Sequence, residues 1–255
     1  MNKKSIFVVG DRFAHFGSLD GSTTVSNLAA SFDGVDSDSA PARLVVGQGV
    51  SESWLQYLRA QVIEMGLDVE FVEATPLSGR TGRNFAHKHR RHNILITDPK
   101  ECAPLQYLSR LVIDDECELM TDHTTGHHLQ GMLLIEAARQ SFLAVTERFL
   151  LESKEKHYFV INDLDVTFHK FAFPISTEIE IDVSDVDRSR PDRLPATATI
   201  RFLQQGECIT VVRFAYTAMV ESKLQKREAE LAMQALRHEL SVNRNQVHFA
   251  KVVAA

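Results

Sequence analysis

Residues 122–140 read D-H-T-T-G-H-H-L-Q-G-M-L-L-I-E-A-A-R-Q and join two unlike patterns. A polar, histidine-rich turn leads directly into a mostly apolar segment that contains neither proline nor a further glycine. This segment predicts a helix from about Gln130 or Gly131 to about Glu152, because helix-forming and apolar residues follow one another without a breaker. Since the first turns are apolar on nearly every side, we expect the helix to be buried, most simply by a sheet wrapped around it.

Glu136 is the exception within this apolar helix. A buried carboxylate is costly unless it is paired or has a raised pKa, and such a carboxylate beside histidines is a common basis for acid/base chemistry. A purely structural role is the alternative. Glu136 could pair with Arg139 or Arg110 and accept a hydrogen bond from Gln140 in a satisfied network.

Three histidines, His123, His127 and His128, stand just before the predicted N-terminus of the helix. Unpaired backbone N–H groups and the positive end of the helix dipole converge at such a terminus. They favour a thioester oxygen or a phosphate. The combination of Glu136 with these histidines therefore predicts a functional site.

The composition is that of a globular protein and excludes several classes. Of 255 residues, 44% are hydrophobic and 24% charged, and the net charge of −6 argues against general nucleic-acid binding. No apolar run reaches the roughly 18 residues of a transmembrane helix, and the N-terminal apolar run is too short for a signal peptide. The three cysteines lie far apart in the sequence and suggest neither disulfides nor a zinc site. We expect a cytoplasmic protein that binds no membrane and no metal.

Residues 1–80 predict a small α/β domain, because strands and helices alternate there. The predicted strands are Ser5–Val9, Arg43–Val46 and Leu67–Val72; the predicted helices follow the capping run Ser22–Thr24 and span Ser53–Met65. Gly47 and Gly49 form a G-x-G after a strand, but a third glycine is lacking, so we assign no nucleotide cofactor.

The segment from Arg80 to His92 contains five Arg or Lys and three His within thirteen positions. One interpretation is a solvated basic linker between domains. The other is an electropositive surface formed by Arg80, Arg83, Lys88, Arg90 and Arg91, on which an acidic acyl carrier protein or a phosphorylated substrate docks.

Residues 81–220 predict an α+β domain in which an antiparallel sheet curls around the helix. The predicted strands are Asn93–Thr97, Tyr107–Ile113, Tyr158–Phe173 with a hinge at Asn162 and Asp163, Glu178–Val183, and the hairpin of Ala196–Leu203 with Cys208–Val220. Residues 221–255 predict an amphipathic helix to Leu240 and then a loose tail.

The central stretch, with the preceding H-K-H-R-R-H-N-I-L-I-T-D, resembles the A-factor biosynthesis hotdog family, which makes butyrolactone-type signalling precursors in bacteria. It is more distantly similar to the hotdog β-hydroxyacyl carrier-protein dehydratases. The resemblance covers about residues 85 to 220 and implies a hotdog fold, a long central helix wrapped by an antiparallel sheet. The family's name-giving members carry two hotdog repeats, whereas this sequence shows one, preceded by the α/β unit.

The resemblance also implies an activity: transfer of a β-ketoacyl group from an acyl-carrier-protein thioester to a hydroxyl of a small phosphorylated acceptor, with dihydroxyacetone phosphate the expected one. Acyl-CoA is the alternative donor, and 4′-phosphopantetheine enters only as part of the donor. By position, Glu136 matches the family's helix carboxylate, His128 the histidine before Q-G-M, and His123 the histidine of the D-H pair. The expected substrate-binding residues are Gly131, Met132, Arg139 and Gln140.

Other interpretations stay open. They are a hydroxyacyl-thioester dehydratase, a thioesterase, and a protein that binds an acyl chain or lactone without turnover. A single hotdog leaves a sheet edge unpaired, which predicts a homodimer. In that dimer the resemblance implies that His128 of one subunit faces Glu136 of the other.

Overall fold

The computed structural model describes residues 5–32, 40–74, 79–121, 126–152 and 155–253, the last eleven by backbone alone. The chain begins with a four-stranded parallel sheet in the order β2-β1-β3-β4. Its strands are β1 (Ser5–Val9), β2 (Ser22–Thr24), β3 (Arg43–Val46) and β4 (Glu70–Glu73). The predicted parallel α/β unit is present, and the capping run Ser22–Thr24 also forms its edge strand.

Three helices accompany this sheet: α1 (Ala14–Gly17), α2 (Val25–Ser31) and α3 (Glu52–Glu64). Side-chain caps begin the longer two, since the Thr24 hydroxyl accepts a hydrogen bond from Asn27 N and the Ser51 hydroxyl accepts one from Trp54 N. Gly66 follows α3 at φ +65°, the left-handed conformation that glycine adopts without strain.

The rest of the chain forms a six-stranded antiparallel sheet in the order β5-β6-β8-β9-β10-β7. Its strands are β5 (Lys100–Ala103), β6 (Gln106–Arg110), β7 (His157–Phe168), β8 (Glu178–Ser184), β9 (Arg193–Gln204) and β10 (Glu207–Val220). Ile179, Ile181 and Val183 of β8 are buried, as their alternation with charged residues predicts. Asn162, at the predicted hinge, is the extra residue of a bulge between β7 and β10.

The sheet packs around α6 (Gly131–Val145), which continues as a single π-helical turn, Thr146–Leu150. The short helices α4 (Arg83–Ala86) and α5 (Glu118–Thr121) precede it. Eight apolar or alanine side chains of α6 are buried in the main core with the inner face of the sheet. The predicted start of the helix is confirmed, and its end lies two residues before the predicted one. This is the predicted hotdog arrangement.

Two predictions of local structure are wrong, and one strand was missed. Asn93–Thr97 is not a regular strand: residues 91–93 form a 3-10 turn, and Ile96 and Thr97 make only isolated bridges. The reason is that the Gln140 side chain takes the hydrogen bonds of Asn93 O and Leu95 N that a neighbouring strand would need. Strand β5, paired with β6, was not predicted.

The C-terminal segment also departs from the prediction. Helix α7 runs from Glu221 to Val253, so residues 241–253 continue the helix instead of forming a loose tail. No helix within the described ranges is long and apolar enough to cross a membrane. The division at residues 80/81 and 220/221 stays a prediction.

Candidate active site

Glu136 lies on the partly exposed side of α6, with 18% of its side chain accessible. Its carboxylate binds three neighbours. Lys88 Nζ lies 2.7 Å from Oε1, and Arg139 makes a two-pronged contact with Nε 2.8 Å from Oε2 and Nη2 3.1 Å from Oε1. Gln140 Nε2 donates to Oε1 at 3.0 Å. The paired network considered for this residue is therefore present, with Arg139 in it and with Lys88 as an additional cation.

The surroundings lower the pKa of Glu136. Burial alone would raise it, but hydrogen bonds from Arg139, Lys88 and Gln140 outweigh that effect. The alternative of a raised pKa is thus not met, and Glu136 is a carboxylate at neutral pH. A carboxylate held in this way is a poor proton acceptor and a good anchor for cations.

Gln140 ties this cluster to the segment before β5. The side chain is fully buried, and both its oxygen and its nitrogen form hydrogen bonds. Its Oε1 accepts from Leu95 N at 2.8 Å, and its Nε2 donates to Asn93 O at 2.9 Å. The Asn93 side chain in turn accepts from Glu118 N and donates to the Glu118 carboxylate, each at 2.9 Å. Such a connected set of hydrogen bonds favours one arrangement of the side chains.

The histidines occupy a different environment. His128 is exposed, and its ring packs against Phe171 with 4.9 Å between ring centroids. His127 faces His15 of α1 with 5.7 Å between ring centroids. Leu129, which follows them, is buried and fixed by the hydrogen bond from its N–H to Ala172 O at 2.7 Å. His123 lies outside the described residues.

Among the described residues, no side chain caps the N-terminus of α6. The side chain of the N-cap residue Gln130 makes no cap hydrogen bond. Its Nε2 donates to Leu119 O instead. The N–H groups of Gly131 and Met132 are in the first turn, where no intrahelical acceptor exists. The Phe168 ring packs closely against Gly131, since a β-carbon there would lie 2.7 Å from Phe168 Cζ.

The basic stretch divides into buried and exposed residues. Arg80 does not belong to a docking surface: only 3% of its side chain is exposed, and it pairs with Asp114 at 2.9 Å. The prediction that Arg80 is a docking residue is therefore wrong. Its backbone forms a bridge with Thr97, and its side chain lies in the interior. Lys88 forms an ion pair with Glu136. Arg83, Arg90 and Arg91 remain exposed.

Two residues near the site had no clear signal in the sequence. Lys88 belongs by sequence to the predicted docking surface, whereas the fold pairs it with Glu136. His15 stands in the α/β unit, 112 residues before His127, and only the fold brings them together. Within the described ranges, no three His, Cys, Asp or Glu side chains cluster in a way that could hold a metal ion.

Comparison with known proteins points to one family. The family model described as the A-factor biosynthesis hotdog domain matches residues 72–252, more than half of the chain. No curated protein sequence matches the chain.

Among solved structures, a thioesterase from Pseudomonas aeruginosa is 12% identical over 49% of this chain and 81% of its own, with a TM-score of 0.37. A thioesterase from Staphylococcus aureus is 11% identical over 48% and 91%, also with a TM-score of 0.37. The phenylacetic acid degradation protein of Thermus thermophilus is 15% identical over 48% and 90%, with a TM-score of 0.32. Values this low carry no information about activity.

Proposed function

Because the chain belongs to the A-factor biosynthesis hotdog family, we propose that it is an enzyme acting on acyl thioesters. We further propose that it transfers a β-ketoacyl group from an acyl carrier protein to a hydroxyl of a small phosphorylated acceptor. The observation that carries this is the arrangement around α6: a helix N-terminus without a side-chain cap, three residues after His128, and an ionised carboxylate that holds two cations.

The residues divide the work as follows. His128 takes the proton of the acceptor hydroxyl, and the oxygen attacks the thioester carbon. The carbonyl oxygen becomes an oxyanion, to which the N–H groups of Gly131 and Met132 donate hydrogen bonds. When the tetrahedral intermediate collapses, the C–S bond breaks and the proton on His128 passes to the leaving thiolate. The products are an ester and the free pantetheine thiol.

Glu136 acts in this scheme through its cations and not as the base. Its lowered pKa keeps it charged, so it holds Lys88 and Arg139 at the surface of α6. The accessible parts of these two side chains, 24% and 31%, are then available to the acceptor phosphate. The acyl carrier protein that brings the donor thioester binds to Arg83, Arg90 and Arg91.

The test is incubation with a β-ketoacyl thioester, with and without phosphorylated acceptors. An ester formed only with acceptor supports the proposal. Free acid formed equally without acceptor would make the protein a thioesterase, and an enoyl product would make it a dehydratase. Binding of the thioester without any turnover would leave a sensor or scaffold.

Variants separate the roles. We expect His128→Ala to lower kcat at least 100-fold, the range of a lost general base, with little change in KM. His238→Ala, an exposed histidine on α7, is the matched control and should behave like the wild type. Equal activity of the two variants would remove His128 from the mechanism.

A further inference from the structure

The α/β unit contacts the segments on both sides of the candidate site. Gln48, only 4% exposed, follows β3; its Nε2 donates to Leu111 O at 2.9 Å and its Oε1 accepts from Ile113 N at 2.8 Å. The N–H of Gln48 donates to Pro174 O at 3.0 Å. Residues 111–113 lead toward the histidines, and Pro174 follows β7. The α/β unit is therefore hydrogen-bonded to the chain both before and after the site.

These contacts come from the carboxyl ends of β1 and β3. In open parallel sheets this end usually leaves a crevice for a ligand. Here the crevice is closed, because a β-carbon on Gly47 would lie 2.6 Å from Pro174 O and one on Gly10 would overlap Gly49 O. Val9 and Phe13, next to this end, are buried in the same core as α6. The edge that would take a ligand packs against the site-bearing segments instead.

Arg12 and His15 extend the contact to the site itself. Arg12 Nε donates to Asp115 O at 3.3 Å, and its Nη1 donates to Thr121 O at 3.2 Å. One guanidinium thus bridges both ends of residues 115–121, which contain α5 and end just before the histidine-rich run. His15, three residues later, packs against His127. His127 is covalently next to His128.

We propose that Arg12 and His15 are positioning residues that set the histidine segment, residues 126–130, against the N-terminus of α6. The first eighty residues thereby take part in the site, and only the expected change in activity rests on the proposed function. Neither side chain needs to touch substrate. Arg12 acts through the carbonyls of Asp115 and Thr121, and His15 acts through His127.

Hydrogen exchange tests the positioning without any substrate. In Arg12→Ala, amides of residues 115–121 and 126–130 should exchange about tenfold faster, because two charge-assisted hydrogen bonds are lost. Amides of β9 and β10 should be unchanged. The control Arg43→Ala removes an arginine from the opposite end of the same sheet, where it pairs with Glu70, and should leave residues 115–121 and 126–130 as in the wild type. Equal exchange in both variants would overturn the role of Arg12.

A second readout covers the case that Arg12→Ala unfolds, which faster exchange everywhere would reveal. Arg12→Lys keeps the charge but cannot present two divergent donors, so it should loosen the same amides less while β9 and β10 stay protected. In His15→Gln, the His127 ring resonances should shift because a neighbouring aromatic ring is lost, whereas those of His238 should not. Unmoved His127 resonances would overturn the role of His15.

The activity arm separates this inference from the proposed function. With an active thioester substrate, Arg12→Ala and His15→Gln should lower kcat about tenfold with KM nearly unchanged, since geometry and not binding is altered. If exchange and resonances respond but no thioester is turned over by the wild type, the proposed function fails and the positioning stands. If the wild type is active and both variants match it in kcat, the positioning fails.

Discussion

Glu136 shows how a buried carboxylate is accommodated without a raised pKa. Two cations and an amide surround it, so the cost of burial is met by charge-assisted hydrogen bonds. Lys88 and Arg139 depend on it in turn, because removing the carboxylate leaves two like charges close together.

The first prediction is that Glu136→Gln destabilises the protein by about 2 kcal/mol at pH 7, less than for a fully buried pair because the site is partly accessible. The folded pKa is lowered from 4.5. The contribution of Glu136 is therefore present above pH 4.5 and is lost as pH falls through the lower folded pKa. Urea unfolding from pH 7 down to pH 3 should show the free energies of unfolding of the wild type and the variant converging.

The control Glu207→Gln breaks an exposed pair with Lys170 and should change stability by under about 0.5 kcal/mol. Equal destabilisation by both variants would contradict the prediction.

Asp115 has the opposite shift. Burial, a hydrogen bond with Asp114 and the charges of Asp114 and Glu116 raise its pKa to about 6. The folded protein then holds this proton more tightly than the unfolded chain, so stability falls as pH rises from 3.8 to about 6 and stays lower above it.

The second prediction is that Asp115→Asn is more stable than the wild type at pH 7.5, by about 1 kcal/mol once solvent screening of the partly exposed carboxyl is considered. The gain should disappear below about pH 4. Thermal unfolding across this pH range measures it. Glu101→Gln, an exposed carboxylate on β5, should show no such pH-dependent difference. A gain of the same size at pH 3.5 would show that the substitution acts through packing and not through charge.

At the scale of elements, the sequence predicts what local periodicity and turn chemistry determine. The buried helix, the alternation along β8, and the β9–β10 hairpin with its two positive φ angles at Gln205 and Gly206 all follow from local patterns. Residues 93–97 do not, because their apolar run predicts a strand whereas the buried Gln140, 45 residues away from Leu95, takes the backbone hydrogen bonds. A side chain that competes with a sheet ladder leaves no trace in local sequence.

The same limit applies to the candidate site. Glu136 and the histidines are visible because they break an apolar pattern. The pairing with Lys88, the burial of Arg80 and the contact of His15 with His127 depend on tertiary packing, so sequence patterns could not assign them. A run of like charges in the sequence says nothing about which of them face water.

The third prediction concerns the exposed part of that run. If Arg83, Arg90 and Arg91 receive an acidic carrier protein, activity with carrier-bound substrate should fall steeply with salt, because exposed charges are screened over about 8 Å at physiological ionic strength. Activity with a small thioester should change little. Arg83→Glu with Arg91→Glu should raise KM for the carrier-bound substrate alone, and Arg43→Glu should not. Equal salt sensitivity for both substrates would reduce this surface to a solvated segment.

At the scale of the whole molecule, the antiparallel sheet has two unequal edges. β5 is four residues long and bears Lys100 and Glu101, features that discourage pairing with another chain. β7 is twelve residues long and pairs only with β10 among the described strands. The described part of the α/β unit does not cover it as a second hotdog would, since its hydrogen bonds to the antiparallel domain go to residues 111–121 and to Pro174 and Ile175, and its ring contacts go to His127 and Phe173.

The last prediction is therefore a homodimer in which β7 pairs with its copy. Ile161, Leu164 and Phe168 are 41%, 44% and 52% exposed along this strand, and pairing would bury them together with the free N–H and C=O groups. The register must keep Asp163 and Asp165 from their copies, because like charges directly opposite are destabilising.

Light scattering decides the oligomeric state, since one chain weighs 28.7 kDa and the dimer should weigh about twice that. Leu164→Asp should give a folded monomer at micromolar concentration, because it places a charge in the joint. Ile63→Asp, at a residue 79% exposed on α3, should stay dimeric.

If the interface between the two β7 strands also brings His128 of one subunit to Glu136 of the other, mixing inactive His128→Ala and Glu136→Ala proteins should restore part of the activity through hybrid dimers with one intact site. A monomeric wild type would contradict the pairing, whereas a dimer without complementation would confine each site to a single chain.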